Sequence, residues 1–176
     1  IDYIRGQLAT GFLTDGNTAA FNAYAAQVQN KSSIANSYNN IAYGWAQQDE
    51  RLDEAEKLSK QSLDIVTEKM KHPEASPFMS VKSMQKQNKD VYNMYADSYA
   101  FILYKEKKYD EALKYQKEVY TDNKDNDPIT NEHYVLILNA LGKYAESKDV
   151  IEGAFKAAKV SPALTTELKK AYVGLK

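Results

Sequence analysis

The chain has 176 residues, 43% of them hydrophobic, with 23 basic and 24 acidic residues and a formal net charge of −1. That balance gives no electrostatic reason to expect nucleic acid or an acidic membrane surface as a partner. No cysteine is present, which excludes thiol chemistry, disulfides and cysteine-ligated metals within the chain, and there is no apolar run of about 18 residues, so no transmembrane helix is expected.

The chain opens in helical pattern at Ile1, without an initiator methionine or a signal-peptide pattern. That favours a piece of something larger. Ile4, Leu8 and Phe12 share one face of a first helix, 2–14. "TDGN" breaks it, and a second helix runs over 17–30. Tyr38, Ile41, Ala42 and Trp45 mark a third, 33–48. After "QQDER", a fourth spans 52–71, with Asp53 and Glu54 in its first turn, where carboxylates face unpaired backbone N–H groups and the positive dipole end.

A longer stretch follows, an insertion within about 68–92. His72–Ser76 reads as a loop, and Val81, Met84, Asn88, Val91 and Tyr95 stay in helical phase. A single helix over 77–106 is expected, with a break near Asn88–Asp90 as the alternative. Phe78, Met79 and Met84 are either core filler or an apolar patch for a partner, including a second copy of the chain. Helices over 109–122, 128–141, 144–159 and 162–175 complete the count of nine. Ser76-Pro77, Asp127-Pro128 and Ser161-Pro162 each place a capping residue before a proline at a helix start.

A repeat runs through these elements. An acidic residue followed by alanine recurs early in alternate helices, as "RLDEAEKL" (Ala55) and "KYDEALKY" (Ala112). Weaker copies are "KYAESKDV", with Ser147 in the small slot, and "DGNTAAFNAY", with Ala20. The small residue lets the two helices of a unit cross closely. The units are about 1–32, 33–72, 77–126 and 127–160, followed by a cap at 162–176. In the cap, Leu164, Leu168, Ala171 and Leu175 form the inner face and Glu167, Lys169 and Lys170 the outer one.

The stretch "ADSYAFILYKEKKYDEALKYQKEVY", with Tyr99, Ala100, Leu103, Tyr109 and Ala112, resembles the tetratricopeptide repeat. "NNIAYGWAQQDERLDEAEKLSKQSL" resembles it with one extra turn residue. The unit around Tyr144 keeps Gly142 and departs at Ser147. The resemblance implies an all-α, right-handed superhelix of about four helix-turn-helix units with a C-terminal capping helix, in a single domain. It also implies a non-catalytic scaffold whose first helices line a concave groove for a protein or peptide. Carried across residue by residue, that groove comprises Asn39, Asn40, Tyr43 and Gln47, then Asp97, Phe101, Tyr104 and Lys105, then Glu132, Leu136 and Asn139. The basic set with which some members clamp a terminal carboxylate is missing, and Asp97 and Glu132 would repel one. "YADSYAFILYKEKKYDEA" also resembles tails that follow thioredoxin-fold domains in bacterial cell-envelope proteins such as disulfide isomerases, whose redox cysteines would lie outside this chain.

No catalytic, cofactor or metal constellation is found. His72 and His133 are far apart, lack an HExxH-type partner, and read as solvated surface residues. The acidic pairs recur at helix starts, so capping explains them better than acid–base catalysis.

Overall fold

The computed structural model describes residues 1–72, 78–122 and 127–174. Among them are nine helices and no strand. In chain order they are α1 (Asp2–Thr14), α2 (Thr18–Ala26), α3 (Lys31–Gln47), α4 (Leu52–Lys71), α5 (Val81–Lys105), α6 (Tyr109–Asp122), α7 (Pro128–Ala140), α8 (Tyr144–Lys156) and α9 (Pro162–Gly174). Helix α5 is uninterrupted over 25 residues, so there is no break near Asn88–Asp90. The helix starts later than the expected residue 77: residues 78–80 lie outside it, and the Ser80 hydroxyl accepts the Ser83 N–H at 3.2 Å at its start, while Ser76 and Pro77 themselves fall outside the described residues.

The local chemistry of the ends accounts for where the helices stop and start. Five helices end in the same way, with one residue at positive φ followed by a crossed pair of backbone bonds. At the end of α5, Lys107 sits at φ 64°. Its N–H donates to the Tyr104 carbonyl at 3.0 Å, and the Lys108 N–H donates to the Leu103 carbonyl at 2.9 Å. Gly16, Asp49, Gly142 and Ala158 repeat that arrangement after α1, α3, α7 and α8. At the starts, the Asp127 carboxylate accepts the N–H groups of Ile129 and Thr130, both at 2.8 Å, with Pro128 behind it. Asn17 and Asn30 cap α2 and α3 in the same manner, and Asp53, Glu54, Asp110 and Glu111 occupy first turns.

The chain divides into two compact units, Ile1–Ser98 and Tyr99–Lys176. In the first, α1 packs on α2 and α3, and α3 on α4. Leu13, Phe21, Val28, Ile34, Ala42 and Ala55 are buried there. The rings of Phe12 and Tyr24 stack at 5.3 Å, and Phe21 meets Tyr38 edge-on at 5.4 Å. The Asp2 carboxylate accepts the N–H groups of Gln29 and Asn30 at 3.1 and 3.0 Å, joining the start of α1 to the start of α3. The Asn30 bond is the main cause holding its carboxyl below the usual range.

In the second unit α7 is central, packed on α6, α8 and α9. Tyr134, Val135, Leu138, Val150, Ile151, Ala154 and Leu164 form its core. Each large aliphatic side chain there contributes about 1.5–3 kcal/mol through burial. Three buried amides tie neighbouring helices together. Gln116 donates to the Thr130 carbonyl at 3.3 Å, Asn131 to the Lys159 carbonyl at 3.1 Å, and Asn139 to Glu167.

The small slots read from the sequence are interior in three of four copies: Ala55, Ala112 and Ser147 are fully buried. Ala20 is half-buried, and the adjacent Phe21 takes the interior position instead. Met84 is buried, so of the three insertion residues only Phe78 and Met79 are displayed.

Candidate functional site

In the first unit, Asn40 and Gln47 are exposed and Tyr43 and Asp97 half-buried. Asn39 is a correction: it is buried, and its side-chain oxygen has no hydrogen-bond partner. Its neighbours along α3, Ala35 and Ala42, are interior too, so position 39 lies on the packing side of the helix rather than the open one.

The second unit brings several expected residues to one place. Tyr104 from α5 and Leu136 and Asn139 from α7 line an open hollow of about 510 Å³. Ala140, Tyr144 from α8, and Glu167, Lys169, Lys170, Val173 and Gly174 from α9 complete it. Leu136, Ala140 and Val173 supply apolar lining, and Asn139, Glu167 and Lys170 supply polar groups.

Those polar groups are ordered. The Asn139 amide donates to the Glu167 carboxylate at 2.9 Å and to the Glu167 backbone carbonyl at 3.1 Å. The Lys170 ammonium donates to the other carboxylate oxygen of Glu167. That bond is the first cause holding the Lys170 ammonium above its usual value, with the nearby Tyr104 phenol adding a smaller push. Glu167 is buried, which corrects its expected place on the outer face of the cap. Lys169 remains exposed at the rim. Gly174 fits where it does because a Cβ there would stand 2.3 Å from the Tyr144 ring.

Phe101 is buried rather than displayed, and Asn139, though it borders the hollow, is largely buried as well. The Phe101 ring stacks on His133 at 4.3 Å, with the Lys105 ammonium 5.5 Å above the Phe101 ring centre. His133 is therefore an interior residue, not a solvated one. Its imidazole has aromatic packing to gain at that position, which a hydropathy reading of a lone histidine does not reveal. Glu132 is half-buried.

Sequence reasoning missed the contribution of α9 to this surface. A signal was present: Glu167 follows Glu132 by 35 residues, the interval between the small slots of the last two units. Among the described residues no group of three or more histidine, aspartate or glutamate side chains is placed to hold a metal ion. No helix among them is long and apolar enough to cross a membrane.

No family model, curated protein or solved structure matches this chain.

Proposed function

We propose that the chain is a non-catalytic scaffold of tetratricopeptide type, in which helix-turn-helix units stack into a right-handed superhelix and hold a protein or peptide on the face made by their first helices. One observation carries the reading. Tyr104, Leu136 and Asn139, which the tetratricopeptide resemblance assigns to a groove, line one hollow together with α9. That hollow combines apolar lining with a few ordered polar groups, the composition of a binding cleft. Its polar groups are held by hydrogen bonds before any ligand arrives, which lowers the cost of ordering on binding. Within each compact unit the helices that pack together are next or next-but-one neighbours in the chain, a pattern compatible with stacked helix pairs.

The experiment selects peptides against the whole chain from a random displayed library and measures their affinity by calorimetry. Tyr104→Ala with Lys169→Ala removes two lining groups, of which only the Tyr104 ring also meets a buried side chain, Phe101, at 6.2 Å between ring centres. Selected peptides are expected to bind this variant at least ~10-fold more weakly, as truncation of hot-spot residues does. Undiminished binding to a variant with unchanged helix content moves the site elsewhere.

A further inference from the structure

The first unit holds a cavity that the groove reading does not use. It is lined by residues of α3, of α4 and of the part of α5 that belongs to this unit, and its volume is about 160 Å³. Burial divides the lining into two zones. The inner wall is Ala35, Val66, Asn88 and Tyr95, all buried. Ser32 and Gln87 are exposed and Lys69 is half-buried, so these three mark the mouth. Ile65 and Val91, both half-buried, add aliphatic surface.

The inner wall carries two polar side chains that the fold leaves unused. Asn88 is 6% exposed and Tyr95 3%. Among the described residues neither side chain has a hydrogen-bond partner. Burial holds the Tyr95 phenol above its usual value, so it stays protonated and is an O–H donor. Buried polar groups without partners are costly, and native folds supply them with water or a ligand. A gap left by imperfect packing has a different character, because a cavity that stays empty is lined by apolar groups. Water alone fits this lining poorly. Against Ile65, Val66 and Val91 a water cluster finds no hydrogen-bond partners on that side. One molecule with an apolar body and one polar group satisfies both parts of the wall.

Size and charge narrow the occupant. A cavity of about 150 Å³ accepts benzene, so this one takes a single ring or a short branched chain. The lining includes one lysine, Lys69, and no carboxylate. The flexible four-carbon stem lets the Lys69 ammonium follow a charge placed in so small a space. We infer that this cavity binds a small monocarboxylate with an apolar body, of about the size of benzoate. The carboxylate accepts hydrogen bonds from the Asn88 amide and the Tyr95 hydroxyl, with Lys69 as its counter-charge. The apolar body rests against Ile65, Val66 and Val91. A cationic ligand of the same size meets like charge here, and a neutral one gains nothing from Lys69.

Titration of the whole isotope-labelled chain with benzoate, benzyl alcohol and benzylamine, read from backbone amide shifts, tests the proposal. The three probes are nearly equal in size and carry negative, no and positive charge. Benzoate is expected to give saturable shifts around residues 32–35, 65–69 and 87–95, and to bind at least ~10-fold more tightly than the other two. Tyr95→Phe keeps the ring and Lys69→Met keeps the stem, and each is expected to weaken benzoate binding ~10-fold. Lys69→Met should also bring benzyl alcohol level with benzoate. Val91→Phe fills the cavity and should abolish binding, whereas Lys117→Met on α6 should leave it unchanged. Absence of saturable shifts overturns the proposal and leaves water as the occupant. Shifts centred on other residues overturn it too. So does equal affinity for the three probes, or benzoate binding that Lys69→Met does not weaken. The ranking of the probes on the unaltered chain decides without relying on any variant to fold.

Discussion

Asn139 on α7 holds Glu167 on α9 at two points, through the side-chain carboxylate and through the backbone carbonyl. The last helix is thus fastened to its neighbour by a polar clasp as well as by Leu164 and Ala171. Glu167→Ala leaves one of the two amide bonds and takes the carboxylate partner from Lys170. A loss of about 1–3 kcal/mol is expected, read as a lower urea midpoint, with faster amide exchange across α9. Unchanged exchange in α9 would mean that the clasp is idle.

Ala112 and Ser147, which occupy the same slot in two copies of the sequence pattern, are both fully buried, and they predict opposite outcomes. Ala112→Leu forces extra volume between close helices and should cost about 1–3 kcal/mol. The Ser147 hydroxyl is buried with no hydrogen-bond partner. Ser147→Ala removes an unsatisfied polar group and restores the residue of the better copies, so it should stabilise, by up to about 1–2 kcal/mol. Thermal unfolding of the two variants checks both signs.

The helix endings give a third test. Lys107 adopts the left-handed conformation at a C-terminus that glycine would fill without strain. Lys107→Gly is expected to raise stability by about 0.5–1 kcal/mol, and Gly142→Ala to lower it by about 1 kcal/mol. A Cβ at Gly142 meets nothing closer than the Tyr144 ring at 3.9 Å, so a loss there reports the backbone conformation alone. Equal melting temperatures for Lys107→Gly and the parent would count against the assigned geometry.

Alkaline pH provides a fourth. The Tyr134 hydroxyl donates to the Glu146 carboxylate at 2.6 Å. Burial, and then that bond, push its phenol far above the ordinary value of 10.0. A raised pKa in the folded state contributes stability that is fully present below the unfolded value and is lost as pH rises through it towards the folded one. Melting temperature is therefore expected to fall from roughly pH 10 upwards. Tyr134→Phe should be less stable at neutral pH by about 1 kcal/mol yet show a shallower alkaline decline. A residual slope should remain, because burial also raises Tyr38, Tyr95 and Tyr120. An identical alkaline profile for parent and variant would remove Tyr134 as a cause.

Helix positions were legible because apolar phase and capping chemistry act locally. Asp127-Pro128 and the acidic pairs at 53–54 and 110–111 mark helix starts within the same turn that they stabilise. The long α5 was readable from Met84, Asn88 and Tyr95, whose common face is buried. What failed was assignment to faces. Asn39 and Phe101 sit near the edge between the packed and open sides of their helices, where a step of 100° per residue cannot decide exposure. Glu167 was misplaced for a different reason. A carboxylate reads as solvated unless its partner is known, and Asn139 lies 28 residues away in the chain.

Within each of the two compact units, the helix pairs that pack together are next or next-but-one neighbours in the chain. Such contacts close short loops, so the ordering entropy lost before the first favourable contact is small. Folding is expected to be fast for a chain of this size.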